Sequence, residues 1–333
     1  MSVASLSADR ETAELVRSAN AALRAGDLRG AVEQLGQALS RTGDRPELLS
    51  AYGHLQLNLG AAEAAEDAAL RSAAIAPNLP ETLTLLGRLW LLGRHRPNEL
   101  DCSWSKQEYI LSQLPSVSRD FYEQHKDLRE VEHQVGRFLN MQQVANEIIS
   151  GRIEGDIVEF GTWQGLGLLM LGRCFATDAI PRKLIGIDSF EGLPEDSTIW
   201  KKGLFNDTSL DRVRGNIESR LAPGQSFKLI KGWFNDRTVP ESLTRECSSI
   251  ALVHFDADLA SSTRQALGII EPYLVGRTAP MYFLFDDWGC NPDEVPDAFL
   301  NWLPTARVRY GMEAHKVCTT RITRYYKMTF AAR

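Results

Sequence analysis

Two apolar runs of the chain end in pairs of aspartates. In "LVHFDADLASST" the run 250–255 gives way to Asp256 and Asp258, and in "PMYFLFDDWG" the run 281–285 gives way to Asp286 and Asp287. Each run has the length and the β-branched or aromatic content of a buried strand, so the aspartates stand at strand tips. Asp after a strand commonly caps the next helix. Better caps follow here: Ser262 with Gln265 forms a capping box, and Asn291-Pro292 with Glu294 forms another, with Pro at the first helical position. The four aspartates precede both caps and are left for other work. All-oxygen ligands suit a hard divalent cation, Mg²⁺ above all, and a carboxylate can also take a proton from a reacting hydroxyl.

A second cluster lies upstream. "DIVEFGTWQGLGLLML" (156–171) reads as a strand, a glycine turn and the start of a helix, with Gly161 and Gly165 allowing close backbone approach to a ligand. The spacing is GxxxGxG, not the GxGxxG that cradles a pyrophosphate. Twenty-one residues after Gly167, the next strand ends at Asp188 in "LIGIDSFEGLPED". Asp at such a tip is often a turn residue, but its distance from the glycine loop suits the acid that accepts ribose hydroxyls. A ribose-binding acid without a pyrophosphate loop points to an adenosine cofactor lacking a diphosphate, and S-adenosylmethionine fits. Glu159 is placed to meet the amino-acid end of that cofactor or to orient the loop.

These segments belong to an alternation of strand and helix that begins near residue 151, the mark of a largely parallel α/β sheet. Strands are expected at 157–160, 184–187, 227–230, 250–255 and 281–285, and helices at 166–175, 210–221, 262–273 and 292–303. The tail 306–330 is suited to two final strands, one of which could pair antiparallel. The expected result is a seven-stranded sheet with ligand sites at the carboxyl ends of its strands. Residues 1–100 have a different grammar. At an offset of 34 residues Leu23 matches Leu57, Gly26 matches Gly60, Ala31 matches Ala65 and Pro46-Glu47 matches Pro80-Glu81. Thirty-four is the tetratricopeptide period, so this region resembles about two such repeats and a closing helix, against the alternative of an unrelated helical bundle. Such an array commonly holds a protein partner or a neighbouring subunit. Residues 101–150 read as a charged helical connector, leaving 151–333 as the α/β domain.

Composition narrows the function classes. The 333 residues carry a net charge of −6, with 44% hydrophobic and 24% charged residues, which argues against a nucleic-acid partner and suits a site built from carboxylates. The opening lacks a signal-peptide pattern, and "LTLLGRLWLLG" is too short and too charged for a membrane span. Five scattered cysteines, never in a CxxC pair, read as reduced thiols, so the cytoplasm is the expected compartment.

"GDIVEFGTWQGLG", "GIDSFEGLPE", "KGWFNDRTVP", "HFDADLASST" and "FLFDDW" occur in the order seen in macrocin O-methyltransferases of the TylF type, and residues 133–330 resemble that family. The resemblance implies a class I S-adenosylmethionine-dependent methyltransferase fold, in which the fourth and fifth strands are neighbours. Carboxylates on strands about 4.8 Å apart repel one another unless a cation joins them. The resemblance accordingly makes Asp256, Asp286 and Asp287 the Mg²⁺ ligands and Asp258 the general base. Its cofactor-binding set comprises Glu159, Gly161, Thr162, Gly165, Asp188, Ser189, Trp233 and Asp256. It departs from the family at Ala260, Trp288 and the stretch Arg237-Thr238-Val239, and in its helical N-terminus; these bear on the acceptor more than on the reaction.

Other residues have plainer readings. His254 shares a strand face with Asp256 and is an alternative base, though a His within an apolar strand is more often packed and hydrogen-bonded. Ser261 and Ser262 lack the His and Asp a nucleophile would need. Trp233 either meets the adenine or packs in the core, and 195–207 is either a lid over the acceptor or a surface loop. The expected activity is Mg²⁺-dependent methyl transfer to a hydroxyl of a sugar-containing small molecule. The alternatives are an NAD-dependent oxidoreductase and a non-catalytic partner-binding protein with a lapsed methyltransferase domain.

Overall fold

A computed structural model describes residues 3–76, 79–94, 119–128, 131–289 and 294–331. The chain divides into two compact units, Met1–Ser118 and Arg119–Arg333.

The first unit consists, as described, of five helices: α1 (Val3–Arg24), α2 (Leu28–Thr42), α3 (Pro46–Asn58), α4 (Ala62–Ile75) and α5 (Pro80–Leu91). The starts of α2 and α4, and of α3 and α5, stand thirty-four residues apart, and Gly26 and Gly60 hold matching left-handed turns with φ of 79° and 81°. A Cβ on Gly53 would lie 2.3 Å from the Leu85 side chain, so its absence lets α3 close on α5. The buried hydroxyls of Ser50, Ser72 and Thr82 satisfy one another at 2.6–3.1 Å across α3, α4 and α5.

In the second unit, α6 (Arg119–His125) and a π-helical turn (Val131–Val135) lead into α7 (Gly136–Ser150). The expected connector 101–150 thus contributes a helix to this unit, with Phe138, Met141, Val144 and Ile148 buried; residues 101–118 lie outside the described residues. The sheet follows, with β1 (Asp156–Phe160), β2 (Lys183–Asp188), β3 (Ser226–Lys231), β4 (Ile250–Phe255), β5 (Met281–Phe285), β6 (Met312–Thr319) and β7 (Arg324–Phe330) in the order β3-β2-β1-β4-β5-β7-β6. The first five strands are parallel, and β7 is inserted antiparallel between β5 and β6. This is the expected seven-stranded α/β sheet, with β7 as its one antiparallel strand.

Four helices connect the strands: α8 (Leu166–Cys174), α9 (Leu210–Glu218), α10 (Thr238–Glu246) and α11 (Ala260–Ile270, continued by a 3₁₀ turn to Leu274). The fifth, α12 (Val295–Tyr310), leads to β6. Three of these differ from the expectation. Helix α10 was not anticipated. Residues 306–310, expected as strand, extend α12 past an exposed Pro304, where water can take the carbonyl that proline leaves without a donor. Helix α11 begins at Ala260 with Leu259 at its N-cap, so Ser262 is a buried first-turn residue rather than the cap. The first-turn amide of Ala260 instead donates to the Glu294 carboxylate at 2.6 Å. The second expected cap, Asn291-Pro292, lies outside the described residues.

Alternation along β1, β4 and β5 puts Phe160, Phe255 and Phe285 on one sheet face, with ring centroids 5.9 and 4.7 Å apart. Glu159 and His254, register partners, lie on the other face. Beyond the strands the ladder continues by one bond each: the amides of Gly161, Asp256 and Asp286 donate to Ile187, Phe160 and Phe255, all at 2.9 Å. The aspartate-bearing tips are thereby held side by side. No described helix is long and apolar enough to cross a membrane, and Cys174, Cys247 and Cys318 are free thiols.

The β1 and β4 tips pass closely at Gly161, where φ is +89° and an added Cβ would lie 1.7 Å from the Asp256 carbonyl oxygen. Gly161→Ala should destabilise the second unit by about 3 kcal/mol through overpacking and backbone strain. Urea unfolding measures it; a loss below about 1 kcal/mol would mean that the β1 and β4 tips do not meet this tightly.

Candidate active site

The β1–α8 turn is built around Asp188. One carboxylate oxygen accepts the Trp163 amide at 2.7 Å and the other accepts the Phe190 amide at 2.6 Å, so the tip of β2 fixes the loop after β1. Burial raises the Asp188 pKa, opposed by these amide bonds. Gly165, with φ of 93°, opens α8. Thr162 is buried beneath the loop against Gly186, whose missing Cβ would meet its hydroxyl at 2.5 Å. Ser189 is buried and accepts the Glu191 amide at 3.1 Å. Trp233 is half-buried on the loop after β3, while its neighbour Phe234 packs edge-on against Phe160.

Glu159 and His254 form a buried pair, Oε1 to Nδ1 at 3.0 Å, with each side chain 1% exposed. Gly167 makes room for it, since a Cβ there would lie 2.2 Å from that oxygen. Burial lowers the His254 pKa, but the Glu159 hydrogen bond and the charges of nearby Asp256 and Asp286 outweigh it and the net shift is upward. Glu159, His254 and Asp256 each bring a ligand atom within 4.8 Å of the others. Glu159 Oε1 and His254 Nδ1 are hydrogen-bonded to each other, and the second, buried Glu159 oxygen has no hydrogen-bond partner.

The four aspartates at the β4 and β5 tips come together, as the sequence anticipated, and a guanidinium comes with them. Arg137, on the first turn of α7, bonds Asp286 and Asp256 through the same Nη1, the latter at 3.2 Å, and donates from Nη2 to Gln134 at 2.8 Å. His133, one turn earlier, lies 3.4 Å from the same Asp286 oxygen. The acids divide accordingly. Burial would raise Asp286, but Arg137 and then His133 hold it well below the usual carboxylate range. Burial and the Asp286 charge push Asp256 well above that range against the pull of Arg137. Burial, followed by the charges of Asp287 and Asp256 and a hydrogen bond with Asp287, does the same to Asp258. The second Asp286 oxygen is buried without a hydrogen-bond partner.

Backbone strain gathers at the same edge. Of six non-glycine residues with left-handed φ among those described, Trp163, Phe190, Asp258 and Asp287 sit on loops at the carboxyl end of the sheet. A fifth, Phe205, lies in 195–207, the segment read as a lid or a loop. That segment is tied at both ends: Glu195 accepts the Ser261 hydroxyl, and Asp207 accepts Trp163 Nε1 at 2.8 Å and Gln164 Nε2 at 3.0 Å. Phe205 meets Trp163 and Trp200 edge-on at 5.3 and 5.5 Å. It therefore spans from the glycine turn to the first turn of α11. Trp288, after the second aspartate pair, packs on Phe285 and Phe299 with the Arg324 guanidinium 5.2 Å from its ring centre.

Sequence reasoning missed Arg137 and His133. The signal was present: Arg137, Met141, Val144 and Ile148 follow helical spacing and are all buried, so Arg137 occupies a core-facing position. Because Arg137 holds Asp286 ionised, Asp286→Asn should cost about 3 kcal/mol by leaving part of a buried charge uncompensated. A carboxylate with a depressed folded-state pKa stabilises above its unfolded value of about 4 and loses that contribution as pH falls further. The stability gap between the wild type and Asp286→Asn, followed by urea unfolding, should therefore be full at neutral pH and shrink below pH about 4. A gap that widens on acidification would contradict the ion pair.

Residues 103–299 match the family model described as Macrocin-O-methyltransferase (TylF), well over half of the chain. The demethyldecarbamoylnovobiocin O-methyltransferase of Streptomyces niveus is 29% identical over 166 residues, 46% of this chain and 60% of that protein. The chain thus matches less than two thirds of that relative's length. The 8-demethyl-8-(2,3-dimethoxy-alpha-L-rhamnosyl)-tetracenomycin-C 4'-O-methyltransferase of Streptomyces olivaceus is 28% identical over 187 residues, 53% of this chain and 67% of that one. Among solved structures, the O-methyltransferase NovP aligns over 58% of this chain and 79% of its own, at 24% identity and a TM-score of 0.47. The calicheamicin methyltransferase CalS11 aligns over 71% and 96%, at 18% identity and a TM-score of 0.48. On the extent of the family match, the chain belongs to the macrocin O-methyltransferase family.

Proposed function

We propose that the second unit transfers a methyl group from S-adenosylmethionine to a hydroxyl of a sugar-containing natural product, with a divalent cation, Mg²⁺ first, held by Asp256, Asp286 and Asp287. The observation that carries this reading is the adjacency of two sites on one sheet edge: a glycine turn anchored on Asp188, and four aspartates on the strands beside it. The names of the Streptomyces relatives support the acceptor class.

The residues fit both groups. Asp188 stands at the strand tip where ribose hydroxyls can be accepted, and Gly161 and Gly165 keep the adjacent turn open to a ligand. Glu159, Thr162, Ser189 and Trp233 belong to the same loops, Thr162 from beneath. The buried, unpartnered oxygen of Asp286 is the group that most needs a cation, and an all-oxygen donor set suits a hard one. When bound, S-adenosylmethionine supplies an electrophilic methyl and the cation favours ionisation of a coordinated hydroxyl. Asp258, beside the cation ligands and in hydrogen-bond contact with Asp287, takes the hydroxyl proton. His254, bonded to Glu159, serves the strand face rather than the acceptor. The segment 195–207 closes the edge against water. We assign the first unit to tetratricopeptide-like repeats that hold a partner or a second copy, in a cytoplasmic protein.

Calorimetric titration should show micromolar binding of S-adenosylhomocysteine and none of NAD⁺, with Asp188→Ala abolishing it. Asp258→Asn should keep that binding and lose at least about 100-fold in turnover on glycosylated acceptors. NAD⁺ binding would favour an oxidoreductase, and binding of neither would favour a lapsed domain that acts through its repeats. Full turnover in Asp258→Asn would remove Asp258 as the base.

A further inference from the structure

The π-helical turn Val131–Val135 aims Arg137 at the aspartates. In that turn Gln134 holds Nη2 at 2.8 Å, and the Arg137 carbonyl accepts the Tyr325 hydroxyl at 2.9 Å. Guanidinium and backbone are both tethered, and the side chain is 5% exposed. A π-turn inserted before a helix commonly marks a functional site, because it re-aims side chains that a regular helix would point elsewhere. What it aims here is a permanent charge, since arginine does not lose its proton in proteins.

The contact pattern on the carboxylates is one-sided. Nη1 bonds Oδ2 of Asp256 and Oδ2 of Asp286, joining the two strands along one edge. Oδ1 of Asp286, on the opposite edge, is buried without a partner. We propose that Arg137 is a resident counter-ion of the aspartate cluster: it clamps the Oδ2 edges of Asp256 and Asp286, keeps the cation-free protein folded, and weakens the cluster's hold on a divalent cation. The inference rests on the reading of Asp256, Asp286 and Asp287 as cation ligands. A divalent ion on these acids feels their attraction and, from the far edge, repulsion by the guanidinium. Around the buried Asp286 that repulsion acts over several ångströms with reduced screening. His133 faces the same Asp286 oxygen at 3.4 Å. Arg137 acts through the aspartates and is therefore a positioning residue. Its consequence is a cluster that would hold a divalent cation less tightly than its carboxylates alone would.

The test uses the full chain as wild type, Arg137→Gln and Arg137→Lys. Mn²⁺ binding is measured by titration against the electron paramagnetic signal of the free ion, and thermal unfolding is followed in EDTA and in saturating Mn²⁺. Arg137→Gln should bind Mn²⁺ at least tenfold more tightly than the wild type, melt lower in EDTA, and recover more than the wild type on adding Mn²⁺. Arg137→Lys keeps the charge and should stay within threefold of wild-type affinity. Folding of Arg137→Gln only in Mn²⁺ would also support the proposal. Loss of folding in both conditions would make Arg137 a packing residue and overturn it, as would unchanged or weaker Mn²⁺ binding. If the wild type binds Mn²⁺ and Arg137→Gln gains nothing, the counter-ion inference alone falls. If none of the three proteins binds Mn²⁺, the cation reading falls and takes the inference with it.

Discussion

Four carboxylates crowded at adjacent strand tips, two of them buried and two half-buried, cannot be held together without positive charge beside them. The second unit meets this constraint with a guanidinium delivered from outside the sheet, and much of its local architecture serves that delivery. The π-turn sets the direction, Gln134 and Tyr325 hold the arginine, and the ladder bonds beyond β1, β4 and β5 bring Asp256 and Asp286 within reach of one Nη1. Because the pairing is asymmetric, the acids do not share a common protonation state. Asp286 is fixed as a carboxylate, while Asp256 and Asp258 are driven the other way. One patch therefore contains both a carboxylate held ionised and two whose protonated form is favoured.

The same crowding explains where the backbone is strained. Asp258 and Asp287 hold left-handed conformations that L-residues adopt reluctantly, and Trp163 and Phe190 do so around Asp188. Strain of this kind persists only where surrounding contacts over-determine it. Here those contacts are the amide bonds to Asp188, the hydrogen bond between Asp258 and Asp287, and the close backbone passage at Gly161.

Much of this was legible in the sequence because it was local. The apolar runs 250–255 and 281–285 become strands with those bounds, and the aspartates that end them meet as expected. Asp188 lies against the glycine turn, as its distance from Gly167 suggested. The errors arose where a local signal was outweighed. Helix α10 opens on Thr238-Val239-Pro240, which reads as a loop, yet Val239 and Leu243 bury one face of it. Residues 306–310 look like strand, but Ala306 and Tyr310 continue the buried face of α12. Arg137 lies 119 and 149 residues from the acids it joins, and no periodicity reports a partner at that distance. Only its place among buried Met141, Val144 and Ile148 hinted that its charge would need an answer.

The position of β7 has a consequence for how the molecule is made. Chain order and spatial order disagree at this end of the sheet: β6 is synthesised first but lies outside β7, which must slide between it and β5. The hairpin also carries the supports of the acidic patch. Tyr325 on β7 holds Arg137, the Arg321 amide reaches Glu132 in the π-turn, and Gly289 packs against the Arg321 carbonyl. The strands that carry the acids, β4 and β5, therefore precede in the chain the strand whose Tyr325 hydroxyl secures the Arg137 backbone. The acidic patch is finished only when the last strand arrives: the acids and Arg137 are made first, and the tyrosine that tethers the arginine is made last.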